Sequence, residues 1–528
     1  MSTTIELYDV TLRDGAQREG ISFSVEDKLR IAQKLDELGV SYIEGGWPGS
    51  NPKDEQFFQR VKSLTLDHST IAAFGSTRRA DMRVEEDPQV KALLDSGAPV
   101  ITLVGKSDAL HVTHVLETSL EENLSMIADT VAYLKSRGRR VFFDAEHFFD
   151  GYKRNPDYAL RSIQVAEEAG AERLILCETN GGCLPEEVAE IVKAACKATK
   201  APLGIHAHND AELGVANSLA ALRAGASQVQ GTINGIGERC GNANLVSIIA
   251  NLKLKLGIHC ISDEQLAKLT EVSRYVAEIA NLAPNAQQPF VGISAFAHKG
   301  GLHAAAEAKV ESSYQHIDPK LVGNVKRVVI SELSGRSNIL AKAKELGISL
   351  DPRGEAVKKL LDHIKLQESR GFQYESAEAS FELLLRRAQH EYQPPFHLVD
   401  FMVMVEKQRR PSTLEGTDGM LAEATVKVQV GDEIFHTAAE GNGPVNALDR
   451  ALRKALARFY PDIEKVQLTD YKVRIIEEGQ GTASGVRVLI ESSDGHGTWR
   501  TVGSSTNIIE ASWLALLDSL EYWLLRRR

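Results

Sequence analysis

Along the first half of the chain, short apolar runs alternate with longer stretches of helical spacing. The runs cover residues 5–12, 42–45, 71–74, 100–104, 141–145, 174–177, 203–206 and 228–233, and each reads as a short strand. Between them, residues 25–38, 120–135, 157–169, 185–199 and 213–224 repeat apolar positions at helical intervals. The first helix opens with Ser24 and Asp27 at the spacing of a capping box. Strand-then-helix units in this order predict a closed parallel (β/α)8 barrel with its helices outside. The alternative is an open doubly wound sheet. It is disfavoured because no GxGxxG opens a helix after the first strand.

The pattern changes near residue 255. Residues 256–395 read as mostly helical: Ser262-Asp263-Glu264-Gln265 opens one helix, residues 354–367 form part of another, and Pro394-Pro395 breaks the chain. The tail, 396–528, carries a weak internal repeat. Residues 424–430 and 434–439 predict a hairpin, followed through Gly441-Asn442-Gly443-Pro444 by a helix over 445–459. Residues 485–491 and 498–502 predict a second hairpin around Ser493-Asp494-Gly495, followed by a helix over 508–525. The expected organisation is therefore a barrel over 1–255, a helical linker region over 256–395, and an α+β domain of two hairpin-helix repeats over 396–528.

Composition narrows the function classes. The 528 residues are 43% hydrophobic and 25% charged, an ordinary globular balance. A net charge of −11 argues against a nucleic-acid partner. No apolar stretch is long enough to span a bilayer, so no membrane partner is expected. Five cysteines without a CxxC pair, and an N-terminus lacking the pattern of a secretory signal, lead us to expect a cytoplasmic protein.

The chemistry concentrates where the barrel reading places strand ends. His206 and His208 alternate in a strand, so both imidazoles share a face. Asp14, after the first strand, supplies an anionic oxygen to complete a metal site. That ligand mix suits Mg²⁺, Mn²⁺ or Zn²⁺ without choosing between them. Arg13 is either an ion-pair partner of a neighbouring carboxylate or a planar fork for a substrate carboxylate. Glu146 ends the fifth strand and is either a structural acid or an acid/base group; Asp144 and His147 are set aside because they do not end that run. Thr179 ends the sixth strand, and Asn242 closes the loop Gly235-Ile236-Gly237-Glu238-Arg239-Cys240-Gly241-Asn242 after the eighth. That loop is either a tight turn or an anion- or metal-binding segment. His303, in Gly300-Gly301-Leu302-His303, is either a surface histidine or an acid/base group reaching the site from outside the barrel. Gly441-Asn442-Gly443-Pro444 offers free N–H groups to an anion, or is simply a helix entry.

At Thr11-Leu12-Arg13-Asp14-Gly15-Ala16-Gln17, His206-Ala207-His208-Asn209-Asp210, the 235–242 loop and Gly300-Gly301-Leu302-His303, the chain resembles the 2-isopropylmalate, homocitrate and citramalate synthase family, over essentially its whole length. The stretches Glu44-Gly45-Gly46-Trp47-Pro48-Gly49-Ser50-Asn51-Pro52 and Ser331-Glu332-Leu333-Ser334-Gly335-Arg336-Ser337-Asn338 look most like the citramalate synthase branch. The resemblance implies a metal-dependent Claisen-type condensation of acetyl-CoA with a 2-oxo acid, pyruvate for that branch. It implies that Asp14, His206 and His208 hold the metal, with Asn242 as a further ligand, and that Arg13 and Thr179 bind the oxo acid. Glu146 and His303 would handle protons, His303 coming from the partner subunit of a homodimer. Tyr314 matches a family tyrosine near the site after a one-residue shift, which implies a substrate-binding role. The tail resembles a regulatory dimer domain, whose effector would be isoleucine for a citramalate synthase and leucine for an isopropylmalate synthase. Two departures stand out: Ala304-Ala305-Ala306 replaces an acid soon after the histidine, and Ala211-Glu212 follows the His-x-His motif where a small residue is common. The oxo-acid side chain is expected to meet Phe74 and Val104, neither of which could pair with a second carboxylate.

Overall fold

The computed structural model describes residues 5–298, 306, 310, 313–328, 336–351, 354–389, 391–407, 420–476 and 481–527. Contacts divide it into two compact units: the first spans 1–296 and 316–326, the second 297–315 and 327–528.

The first unit is a closed barrel of parallel strands in the order β1 to β8: Glu6–Asp9, Tyr42–Glu44, Thr70–Ser76, Val100–Lys106, Arg140–Glu146, Arg173–Glu178, Leu203–Ala207 and Gln228–Gly231. Closure comes from β1 pairing with both β2 and β8. β1 is shorter than its apolar run. Val10 donates to the Gly231 carbonyl, and the chain then turns, so Leu12 packs in the core from a turn and Arg13 and Asp14 sit above the strand end. Inside the barrel, Tyr8, Tyr42, Phe142, Val100, Ile175 and Cys177 fill the lumen. A larger apolar layer joins the strands to the surrounding helices. The first helix, Val25–Leu38, carries the expected capping box: Ser24 accepts from the Asp27 N–H, and Asp27 accepts from the Ser24 N–H. Helices Pro52–Arg60 and Pro88–Asp95, unread in the sequence, each start with proline behind an Asn51 or Asp87 cap. Among the described residues no helix is long and apolar enough to cross a membrane.

In the second unit, two-residue strands β9 (Ala297–His298) and β10 (Arg327–Val328) pair in parallel. Helices Arg336–Glu345, Glu355–Ser369 and Glu378–Arg387 follow. Two three-stranded antiparallel sheets come next: β11 (His397–Lys407), β12 (Met420–Val430) and β13 (Glu433–Gly441), then β14 (Gln467–Ile475), β15 (Val486–Ser493) and β16 (Thr498–Ser505). A helix follows each, Pro444–Ala457 and Ile508–Arg526. The first buries Ala447, Leu448, Ala451, Leu452 and Ala455, at helical spacing, with Ala424, Val426 and Val428 of β12. The second packs Ala511, Ala515 and Leu516 with Val488 and Ile490 of β15. The two-repeat reading holds, but each repeat is three strands and a helix rather than a hairpin and a helix. The added strands, β11 and β14, are largely exposed, yet both leave a strand signal that the hairpin reading passed over: an apolar run over 401–405 in β11, and Tyr471, Val473 and Ile475 alternating with Lys472 and Arg474 in β14.

Candidate active site

The strand ends converge at one mouth. His206 lies in β7 and His208 follows it, both 5% exposed. Their Nε2 atoms are 3.4 Å apart. Asp14 Oδ2 lies 3.6 Å from His206 Nε2 and 4.0 Å from His208 Nε2. These three residues offer ligand atoms that all lie within 4.8 Å of one another. Asn242 Nδ2 donates to Asp14 Oδ1 at 2.8 Å, while its own Oδ1 is buried without a partner.

The loop that carries Asn242 is built for close approach. Asn209 N–H donates to the Gly241 carbonyl, and Asn242 N–H donates to the Gly235 carbonyl. Gly241 adopts φ +93, and a Cβ there would meet the Gly235 oxygen at 2.0 Å. A side chain at 241 would therefore push Asn242 away from Asp14.

Electrostatics favour a cation. Burial lowers His206, and burial with the neighbouring His206 lowers His208 to about 4, so both rings are neutral at physiological pH. Gln230 fixes the first: its Nε2 donates to Asp144 Oδ1 at 3.3 Å, which leaves Oε1 to accept from His206 Nδ1 at 2.9 Å. His206 Nε2 is then a lone pair aimed toward Asp14 and His208. Burial works against ionisation of Asp14, but Arg13, the two imidazoles and the Asn242 amide outweigh it and hold the carboxyl well below the usual range. Two neutral nitrogens and one carboxylate, with an orphaned amide oxygen beside them, fit a divalent ion of the Mg²⁺, Mn²⁺ or Zn²⁺ kind.

Arg13 completes the floor. Its Nε donates to Glu44 Oε1 at 2.6 Å and its Nη1 to Asp14 Oδ2 at 3.1 Å. The guanidinium lies 3.8 Å from the Phe74 ring centroid, and Phe74 meets Trp47 edge-on at 5.4 Å. Among the described residues Nη2 has no hydrogen-bond partner, so the fork is held in place with one edge free. Arg13 thus pairs with Glu44, the first of the two alternatives, and keeps one donor edge unpaired among the described residues.

A cavity of about 390 Å³ is lined by Arg13, Asp14, Glu146, Thr179, His206 and His208. Thr179 Oγ1 accepts from the His147 N–H at 2.9 Å. Asn242 joins through Asp14, and its loop also lines a neighbouring groove of about 560 Å³. Tyr314 belongs to the second unit, 49% exposed, with its ring 6.2 Å from that of His298. His303 lies outside the described residues.

Sequence reasoning missed several contributors. Asp144, set aside for not ending its run, lines the same cavity as Glu146 because residues i and i+2 of a strand share a face. That alternation was the available signal. Burial and the Glu44 carboxylate hold Asp144 well above the usual range. Glu44 ends β2 and Lys106 ends β4, both at the same mouth; Gln230 stands opposite His206 in the β7–β8 register.

Comparison with known proteins identifies the domain that carries this cavity and the two that follow it. Residues 4–276 match a family model described as HMGL-like, 290–371 one described as homocitrate synthase post-HMGL domain-like, and 375–524 one described as LeuA allosteric (dimerisation) domain. The chain is 56% identical to an (R)-citramalate synthase of Geobacter sulfurreducens, over 98% of this chain and 97% of that protein. It is 54% identical to one of Aquifex aeolicus, over 100% of this chain and 99% of that protein. A 2-isopropylmalate synthase of Methanocaldococcus jannaschii is 31% identical, over 99% of this chain and 95% of that protein. The chain belongs to the HMGL-like family of 2-isopropylmalate, homocitrate and citramalate synthases, among which the (R)-citramalate synthases share about half or more of its residues.

Proposed function

We propose that the chain is a citramalate synthase, condensing acetyl-CoA with pyruvate to give citramalate and CoA. The observation that carries this reading is the convergence of Asp14, His206 and His208 with the free edge of Arg13 in one barrel-mouth cavity. The identity to citramalate synthases over the whole chain supports pyruvate as the oxo acid.

Asp14, His206 and His208 would hold the divalent ion, with Asn242 as a further ligand; when bound, the ion supplies Lewis acidity for a ketone oxygen. Arg13, pinned by Glu44 and Phe74, offers Nη2 to the oxo-acid carboxylate. Thr179 lines the same cavity, and its hydroxyl would be a further donor to the oxo acid. Phe74, Trp47 and Val104 wall the cavity where the oxo-acid side chain would lie, which suits a methyl group better than a branched chain. Glu146 would take a proton from the acetyl methyl, and His303 and Tyr314 would assist from the second unit of a partner chain.

The tail would pair two copies and bind isoleucine as a feedback inhibitor. Supporting the pairing, β11 exposes Val399, Met402 and Val405. All five cysteines are free thiols, as suits a cytoplasmic enzyme of amino-acid synthesis.

The test is product identification by NMR after incubation of acetyl-CoA and pyruvate with metal-replete protein. Citramalate in stoichiometric yield with CoA supports the reading; its absence overturns it.

A further inference from the structure

Lys106 and Glu146 end neighbouring strands. β4 and β5 pair in parallel with Lys106 directly opposite Glu146, so both side chains leave the sheet at one height. The Lys106 ammonium donates to Glu146 Oε2, and both residues line the cavity that holds Arg13, Asp14 and the histidine pair. Their side chains are 20% and 27% exposed, neither sealed in the core nor washed by solvent. The backbone at this strand end is anchored, because the Lys106 carbonyl accepts from Asn123 Nδ2 at 2.9 Å. Beyond it runs a stem of four methylenes, whose intrinsic flexibility would let the ammonium reach a new acceptor once its partner is neutralised.

An ion pair at this position adds little to the fold, because β4 and β5 are already paired along their whole length. It does put a cation on a flexible stem beside the proposed base. We propose that Lys106 is a catalytic residue that follows the charge during enolisation of the thioester. The inference rests on the reading of Glu146 as the group that deprotonates acetyl-CoA.

As the methyl C–H bond breaks, its proton moves to the Glu146 carboxylate. The C–H electron pair forms the enolate C=C bond, and the thioester C=O pair withdraws to its oxygen. Glu146 becomes neutral at the moment that oxygen gains negative charge. The Lys106 ammonium, released from its partner, donates to the enolate oxygen within the same cavity. Such a contact exists only once charge has moved, so it stabilises the transition state more than the ground state. No oxidant or further reactant is needed.

The test compares the wild type with Lys106→Met, which keeps length and removes charge, and Lys106→Arg, which keeps charge. Rates are measured with pyruvate and with 2-oxoglutarate, using ordinary and methyl-deuterated acetyl-CoA. The expected result is a kcat for Lys106→Met lowered about 100-fold or more, with the pyruvate KM within about three-fold of wild type. The primary isotope effect should be at least as large as in the wild type, and Lys106→Arg should recover roughly ten-fold in kcat. Bound metal and thermal midpoint should be unchanged in both variants.

A Lys106→Met kcat within about three-fold of wild type overturns the proposal. So does a loss confined to KM, or a wild-type preference for 2-oxoglutarate that Lys106→Met abolishes, which would make Lys106 a dock for a second carboxylate. A wild type inactive with every oxo acid overturns the functional reading itself, and is distinguished because it precedes any comparison of variants.

Discussion

Gln230 and His206 face each other across the β7–β8 pair, with Gln230 Oε1 2.9 Å from His206 Nδ1. The same amide reaches Asp144 at 3.3 Å, so a buried carboxyl, an amide and an imidazole form one chain that runs into the candidate metal site. A glutamine so held dictates which imidazole nitrogen faces the ion. Gln230→Leu should therefore weaken metal binding about 10–100-fold while leaving the ligands in place. Titration calorimetry with Mn²⁺ measures this. An unchanged Kd would show that the ring is oriented by packing alone.

Removing a ligand should do more. His206→Ala is expected to lower metal-dependent turnover about 1000-fold or more, with far-ultraviolet circular dichroism unchanged. Near-normal turnover of the metal-loaded variant would sink the site assignment.

Phe74 supports Arg13 from one face and meets Trp47 with its edge. Phe74→Ala should raise the pyruvate KM about ten-fold through the loosened guanidinium. It should also widen the cavity, so that kcat/KM for the longer substrate 2-oxobutyrate improves roughly ten-fold relative to that for pyruvate. Steady-state kinetics with the two acids decide both points, and equal losses for the two would place Phe74 away from the side-chain pocket.

A stability prediction concerns Asp36, far from the chemistry. Its carboxylate accepts the backbone N–H groups of Asp67, His68 and Ser69 at 3.0, 2.8 and 2.7 Å. Burial opposes ionisation, but these bonds outweigh it and leave the group below its ordinary value. A lowered carboxyl contributes stability above the unfolded-state value and loses it as pH falls through the folded one. Asp36→Ala should cost about 1–3 kcal/mol at pH 7 by leaving those donors unpaired. The gap between mutant and wild type should narrow below about pH 4. Thermal melts from pH 3 to pH 7 measure it, and a gap independent of pH would assign the loss to packing.

The outward face of β11 carries Met402 and Met404, 59% and 36% exposed. If that face joins two copies, Met402→Glu with Met404→Glu should convert a dimer to a monomer in light scattering. A dimer that persists would move the interface elsewhere.

Much of this arrangement was legible in the sequence, and for identifiable reasons. The barrel strands are buried on both faces, so each appears as an apolar run. Arg13, Asp14, His206 and His208 stand at strand ends, where polar residues interrupt such runs. Gln230 and Asp144 are polar within strands, and only the fold reveals that they link to His206. Lys106 and Glu44 end their strands just as Glu146 does, but a lone charge there looks like ordinary surface. β11 and β14 did leave signals, an apolar run over 401–405 and the alternation of Tyr471, Val473 and Ile475 with Lys472 and Arg474, but the stronger hairpins beside them drew the reading. The short helix at residues 109–114 is fixed by its Asp108 cap and buries only Val112, so it has no apolar stripe of its own to read.

The central claim is a metal-dependent condensation with a preference for pyruvate. Its most direct test is free-thiol release from acetyl-CoA with pyruvate, 2-oxoisovalerate and 2-oxoglutarate in parallel, with Mn²⁺ or Mg²⁺ and with chelator. The account predicts release with pyruvate well above the other two, abolished by chelator and restored by metal. Release that ignores chelator, or folded metal-loaded protein that releases no thiol with any of the three, would contradict it.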